Sequence, residues 1–74
     1  MREVAILSIS YNPLWHLLVD KNMKKGDLRT LVGMSNSTLA KLGKNEPVSM
    51  DVLEKICAKL GCRIEDIVEF INEQ

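Results

Sequence analysis

The sequence predicts an all-α fold of five short helices, with one short β-strand at the N-terminus. Three observations support this fold class. Apolar residues recur three and four positions apart over most of the chain, which places them on one face of each helix. Glycine or a capping residue interrupts this spacing at most of the predicted helix ends. The first eleven residues instead form an apolar run that Asn12-Pro13 terminates.

The chain has 74 residues, of which 46% are hydrophobic and 27% charged, as expected for one globular domain. We divide it into an N-terminal strand or arm at residues 1–11 and a helical domain at residues 12–74. The strand is predicted over Glu3–Tyr11, and one strand cannot satisfy its own backbone hydrogen bonds. Apart from the last few residues, no other segment has the composition of a strand. We therefore expect pairing with the same strand of a second copy.

The first two predicted helices are defined by their caps. Helix 1 has Asn12 as its N-cap and Pro13 at its first position, where the missing N–H of proline costs nothing. Helix 2 runs from Lys24 or Lys25 to Val32. It ends at Gly33, because glycine adopts the positive φ of a helix terminus without steric cost.

The remaining three helices are predicted in the same way. Helix 3 covers Asn36 to about Leu42 behind Ser35 as N-cap, and helix 4 lies between the cap Ser49 and Gly61. Helix 5 is predicted at Ile64–Ile71. The apolar stripe of helix 4 comprises Met50, Leu53, Ile56, Cys57 and Leu60, and the inward residues of helix 5 are Ile64, Ile67, Val68 and Ile71.

The net charge is zero, but the charges are unevenly distributed. Residues 21–44 contain six basic residues and one acidic residue, a net charge of +5. Residues 45–74 contain three basic and seven acidic residues, a net charge of −4. A basic half favours a phosphate-bearing partner such as nucleic acid, although two ordinary solvated helix faces would give the same pattern.

Helix 3 has the side chains that reading a DNA groove requires. At 100° per residue, one of its sides carries leucines and Thr38, and the other carries polar or small residues. Asn can pair bidentately with adenine, Lys suits guanine or phosphate, and small residues let a helix enter the major groove. Any amphipathic helix has a polar outer face, so this face alone does not decide the function. The predicted base-reading residues are Asn36, Ser37, Ala40 and Lys41.

The start of helix 2 strengthens the DNA interpretation. Its unpaired backbone N–H groups lie beside two lysines, and both features attract phosphate. Lys44, just beyond helix 3, is placed to hold a second phosphate. The residues of this part of the chain predicted to contact the DNA backbone are Lys24, Lys25, Lys44 and Asn45.

The order and spacing of several short motifs resemble the Cro/CI-like helix-turn-helix regulators, also called the XRE or lambda-repressor-like group. The resemblance covers Tyr11–Phe70 and implies a five-helix fold whose helices 2 and 3 bind DNA. It also implies that Asn36, Ser37 and Lys41 read bases, and that Lys25, Thr38 and Lys44 lie near the DNA backbone. The chain resembles short stand-alone members of the family, including the VanU-type regulators. The motifs are Asp27-Leu28, Gly33-Met34-Ser35, Ser37-Thr38-Leu39, Leu42-Gly43-Lys44, Pro47-Val48-Ser49 and Leu53–Gly61.

Two positions depart from the family pattern. Arg29 stands where a small residue normally packs against helix 3, so either its side chain leans outward or the helices splay. Arg63 replaces the usual serine or aspartate cap before helix 5, so that helix is expected to start less firmly. The N-terminal strand is also an addition to the minimal fold and suits a dimer contact.

Several other classes of function find no support in the sequence. No nucleophile is paired with a base and no phosphate-binding glycine loop is present, so no enzymatic activity or cofactor is predicted. Cys57 and Cys62 with His16 as the sole histidine are too few for a structural zinc site, and the cysteines are expected to be reduced core thiols. No apolar run is long enough to span a bilayer and no signal peptide is recognisable, so the expected location is cytoplasmic.

The predicted function is therefore sequence-specific binding of double-stranded DNA as a transcriptional regulator, acting as a repressor. A homodimer would place two reading helices about 34 Å apart, so the operator is expected to be roughly palindromic. No small-molecule ligand is implied. The alternative is a protein-interaction module of the same fold, such as an antitoxin-like or bridging partner, which zero net charge and Arg29 favour slightly.

Overall fold

The computed structural model describes residues 7–72, which form four α-helices, a short 3-10 turn and a two-stranded sheet. Residues 1–6 of the predicted N-terminal arm lie outside the described residues. The elements in chain order are β1 (Leu7–Ser10), α1 (Asn12–Asp20), α2 (Lys25–Val32), α3 (Asn36–Gly43), α4 (Met50–Leu60), the 3-10 turn (Ile64–Asp66) and β2 (Glu69–Asn72). Among residues 7–72, no helix is long and apolar enough to cross a membrane.

The N-termini of the helices are capped largely as predicted. The Ser35 Oγ accepts a hydrogen bond from the Thr38 N–H at 3.2 Å, and Ser49 caps α4 in the same way. These hydroxyls satisfy backbone donors that the first helical turn leaves unpaired. The cap of α1 was predicted one residue too late. Its N-cap is Tyr11, and the Ser10 Oγ accepts from the Asn12 N–H at 3.2 Å.

Two glycines end helices as predicted. Gly33 has φ 81° at the end of α2, and Gly61 has φ 64° at the end of α4. Both values lie in the left-handed region, where a side chain would crowd the backbone. The turn that follows Gly33 brings α2 into contact with α3, which is the arrangement predicted for the two DNA-binding helices.

The hydrophobic core contains at least one side chain from each helix. Met34, in the turn between α2 and α3, is also buried, so it fills the space between these two helices. Met50 was predicted in the apolar stripe of α4, but its side chain is 73% exposed, because the first turn of α4 extends beyond the core. The fully buried side chains are Tyr11, Leu14, Leu28, Leu42, Ile56, Ile67 and Ser10.

The predicted fifth helix at Ile64–Ile71 is wrong. The segment forms the 3-10 turn and then strand β2, and of the four residues expected to face inward only Ile67 is fully buried. Ile64 and Ile71 are exposed. The physical reason is that the segment is rich in β-branched and aromatic residues, which fit a strand, and that β1 offers it a partner.

Strands β1 and β2 pair antiparallel within one chain. Leu7 lies opposite Asn72, and Ile9 lies opposite Phe70. The partner of β1 in its own chain is thus the segment near the C-terminus, which the sequence analysis had left open as a strand. Pairing with a second copy is no longer needed to satisfy β1, although no strand among residues 7–72 lies along its other edge.

Candidate nucleic-acid interface

The outer face of α3 is exposed along its whole length. All four side chains predicted to read bases lie there, while Leu42 on the opposite face is fully buried and anchors the helix to the core. Thr38 is half-buried at the boundary between the two faces. The exposed residues of this face are Asn36, Ser37, Ala40 and Lys41.

Hydroxyl groups organise the N-terminus of α3. The Ser35 O–H donates to the Thr38 Oγ1 at 3.0 Å, while the Ser35 Oγ accepts from the Thr38 N–H at 3.2 Å. The Ser37 Oγ lies 3.0 Å from the Ser35 Oγ. Because Ser35 already donates to Thr38, Ser37 is the donor in this second contact, and both hydroxyls are held in fixed positions at the leading end of the helix.

The start of α2 places two exposed lysines beside a helix N-terminus. The Asp27 Oδ2 accepts a hydrogen bond from the Lys24 N–H at 2.9 Å and so fixes the entry into the helix. The Lys25 Nζ lies 4.4 Å from the centre of the Trp15 ring on α1, a distance typical of a cation–π contact. Lys24 and Lys25 thus lie at the positive end of the α2 dipole, where an anion is favoured.

The loop after α3 is fixed by Tyr11, a role that sequence reasoning missed. The Asn45 Oδ1 accepts from the Tyr11 N–H at 3.1 Å, and the Tyr11 O–H donates to the Glu46 carbonyl at 2.8 Å. Asn45 adopts φ 58°, a conformation that Asn tolerates better than most residues. Burial raises the pKa of Tyr11, and a hydrogen bond with the Val48 backbone partly opposes this. Lys44 beside this loop is exposed.

The ion pairs among residues 7–72 all lie in the acidic half of the chain. Lys55 pairs with Asp51 at 3.3 Å, and Arg63 with Glu65 at 4.0 Å. No carboxylate lies within 4.0 Å of a basic side chain in residues 21–44 among the residues described. In the described part of the chain, the basic side chains of residues 21–44 therefore form no ion pairs in the folded molecule.

Comparison with known proteins agrees with this geometry. Residues 13–73 match the family described as the Cro/C1-type helix-turn-helix (HTH) DNA-binding domain. The chain belongs to this family. Its fold is similar to the crystal structure of the transcriptional regulator VanUg, with a TM-score of 0.89 and 52% sequence identity over 99% of this chain and 96% of that chain. No curated protein matches the chain. The resemblance to short Cro/CI-like regulators of the VanU type is confirmed.

Arg29 and Arg63, the two departures from the family pattern, are each accommodated without separating the elements that they join. Arg29 is half-buried on α2, forms no ion pair among residues 7–72, and leaves α2 and α3 in contact. Arg63 cannot cap through its own side chain, and its N–H donates to the Asp66 Oδ2 at 3.0 Å instead. Asp66 therefore satisfies the N–H of the N-cap residue itself, which is a different donor from the one that a serine or aspartate cap would satisfy, and one 3-10 turn follows instead of a fifth family helix.

A second exposed surface of the HTH domain was not predicted from the sequence. An open groove of about 450 Å³ lies between the sheet, the 3-10 turn and the start of α4. Met50 and Phe70 at this groove are 73% and 68% exposed. The apolar residues Val68 and Phe70, two positions apart around the start of β2, were the available signal for an apolar face. The residues that line this apolar groove are Ile9, Pro47, Val48, Met50, Leu53, Ile64, Glu65, Val68 and Phe70.

The two cysteines are free and half-buried near the end of α4. The Cys62 N–H donates to the Cys57 carbonyl at 3.1 Å, which is part of the turn that closes the helix. The pKa of Cys62 is raised to about 11, chiefly by burial and further by the neighbouring Cys57 thiol and Asp66, against an opposing effect of Lys21. Among residues 7–72, no cluster of three side chains is suited to hold a metal ion.

Proposed function

We propose that this chain is a transcriptional regulator that binds specific sequences of double-stranded DNA with α3 in the major groove. The observation that carries the proposal is an exposed polar helix face flanked by basic side chains that no carboxylate neutralises among residues 7–72. Phosphate contacts supply most of the affinity of such an interface, and base contacts supply its specificity.

The base-reading role belongs to the exposed face of α3. The Asn36 amide can donate to and accept from adenine at the start of the helix, where the backbone approaches the bases first. Ser37 and Ala40 are small enough to let the helix approach, and Lys41 reaches guanine acceptors. The hydroxyl contacts at Ser35 hold this end of α3 in place before DNA binds, which lowers the entropic cost of recognition.

The backbone-contacting role belongs to the residues on both sides of α3. Lys24 and Lys25 at the start of α2 bind one phosphate, and Lys44 binds another. Thr38 supplies a hydroxyl beside the same backbone. Asn45 lies in the same loop, where its Oδ1 accepts from the Tyr11 N–H and its Nδ2 donors are left to face a phosphate. Its bond to Tyr11 also fixes the loop that presents Lys44.

The proposal includes a homodimer that reads a roughly palindromic operator and represses transcription by occupying it. One copy contacts only a few base pairs, and a two-fold pair doubles the site. The second copy would cover the apolar groove, because the groove is continuous with the sheet residues Ile9 and Phe70 and with the open edge of β1. Exposed apolar surface of this kind is typical of an interaction site.

The DNA-reading proposal is tested with two variants on a panel of operator sequences. Asn36→Ala should change the ranking of sequences, because it removes a bidentate base contact. Lys44→Gln should weaken binding to all sequences by a similar factor, because phosphate contacts carry no sequence information. If both variants bind every sequence as the parent does, the assignment of the reading face is wrong. If the parent binds no DNA, the alternative of a protein-interaction module is favoured.

The dimer proposal is tested by sedimentation equilibrium of Phe70→Ser. The variant should shift the protein towards monomer, whereas Val19→Ser, which removes a 73% exposed side chain outside the groove, should not. A dimer that is unchanged in Phe70→Ser would exclude the groove as its interface. Deletion of residues 1–9, which removes most of β1 together with residues outside the described range, then tests the contribution of the strand.

A further inference from the structure

Trp15 is the only tryptophan of the chain, and it lies on α1 outside the reading helix. The Trp15 ring is half-buried, and the Nζ atom of Lys25 on the next helix, α2, lies 4.4 Å from the ring centre. The contact joins α1 to the first turn of α2, the position where a phosphate is expected.

The Trp15 ring is the one interaction that orients the Lys25 ammonium among residues 7–72. No carboxylate lies within 4.0 Å of the Lys25 Nζ in this part of the chain. A lysine side chain has four rotatable bonds and loses considerable rotamer entropy when it is fixed. The ring uses one side of the ammonium, so the N–H donors on its other sides stay available to an acceptor.

We propose that Trp15 is a positioning residue that holds the Lys25 ammonium ready for a DNA phosphate. This inference rests on the proposed DNA-binding function and adds to it a residue that touches no DNA itself. The ring limits the positions of Lys25 before binding, so less freedom is lost when the phosphate arrives. Its contribution cannot exceed that of an exposed cation–π contact, which corresponds to about two- to fivefold in affinity.

The test is a double-mutant cycle measured as affinity for one duplex at several salt concentrations. The variants are Trp15→Leu, Lys25→Gln and the double variant. Lys25→Gln should lower the slope of log affinity against log salt by about one for each bound copy, because each copy loses one phosphate contact. Trp15→Leu should weaken binding about two- to fivefold in the parent and have no effect in the Lys25→Gln background.

Two controls separate positioning from a general effect on the fold. Trp15→Phe keeps an aromatic face and should restore most of the affinity that Trp15→Leu loses. In a Lys44→Gln background, Trp15→Leu should keep its full effect, since Lys44 lies on another element and has no contact with the ring. The coupling should therefore be specific to Lys25.

A second readout uses the native side chain and does not depend on whether Trp15→Leu folds. Trp15 fluorescence should change when duplex DNA is added to the parent, and the change should be lost in Lys25→Gln at saturating DNA. An unchanged fluorescence response in Lys25→Gln, or equal weakening by Trp15→Leu with and without Lys25, would overturn the inference while leaving DNA binding intact. A parent that binds no DNA would instead overturn the proposed function.

Discussion

The outer face of α3 and the apolar groove are both exposed, but they differ in the kind of partner that each could bind. The face of α3 and its flanks carry amide, hydroxyl and ammonium groups, with no carboxylate within 4.0 Å of the basic side chains of residues 21–44 in the described chain. The groove is lined by apolar side chains and one carboxylate, Glu65. The first surface suits a charged, hydrated partner and the second an apolar one. Binding at the first should depend on salt, whereas binding at the second should depend on protein concentration.

The largest expected effect is on the free energy of unfolding, and it distinguishes a buried from an exposed side chain of α4. Ile56→Ala should lower the free energy of unfolding by about 2–5 kcal/mol, because a fully buried side chain leaves a cavity. Met50→Ala on the same helix, where the side chain is 73% exposed, should change it by less than about 0.5 kcal/mol. Urea denaturation of both variants measures the difference. Equal losses would mean that Met50 is part of the core.

The next effect compares a lysine of the basic segment with one in the acidic half. For each bound copy, Lys44→Gln should weaken DNA binding by about five- to tenfold near 0.1 M salt and lower the salt slope by about one. Lys55→Gln removes the same charge but breaks an existing pair with Asp51, so its affinity for DNA should stay close to that of the parent. Anisotropy titrations give both values. Equal weakening would show that total charge, and not its placement, drives binding.

A smaller effect on stability and affinity is expected at Tyr11, whose hydrogen bonds fix the loop that follows α3. Tyr11→Phe removes the hydrogen bond from the Tyr11 hydroxyl to the Glu46 carbonyl and should cost about 1 kcal/mol of stability. The loop that carries Lys44 should also loosen, so affinity for all DNA sequences should fall slightly. Thermal unfolding and DNA titration test both parts. A variant as stable as the parent would show that this bond does not fix the loop.

The smallest effect concerns pH. Because folding raises the pKa of Cys62 to about 11 from an ordinary value of 9.0, its contribution to stability is complete below pH 9 and is lost as the pH rises towards 11. Burial of Tyr11 acts in the same direction at alkaline pH. The melting temperature should therefore fall across this range, and Cys62→Ala should make that fall shallower. An unchanged slope in Cys62→Ala would exclude the thiol as a cause.

Helices α2 and α3 could be predicted because the sequence signals that set their ends are local. Ser35 and Gly33 each set a helix end through groups within a few residues of themselves. The turn between α2 and α3 likewise depends on groups within a few residues of itself. The outer face of α3 then follows from helical periodicity alone, so its exposed residues could be identified from the sequence.

The C-terminal segment could not be predicted because its conformation depends on a distant partner. Residues from Ile64 to Ile71 have apolar spacing that suits a helix, and their β-branched side chains equally suit a strand. Pairing with β1, about sixty positions earlier, decides between the two. The same non-local dependence hid the role of Asn45, whose Oδ1 bonds to Tyr11. It also hid the groove, which combines residues from both ends of the described chain.

The most direct test of the account is the affinity for mixed-sequence duplex DNA at about 50 and 200 mM salt, measured by fluorescence anisotropy. With about four to six phosphate contacts, affinity should fall by about two to three orders of magnitude between the two conditions. A fall of this size would establish that the basic side chains around α3 bind phosphate. Absence of binding at the lower salt concentration, or binding that does not change with salt, would contradict the account.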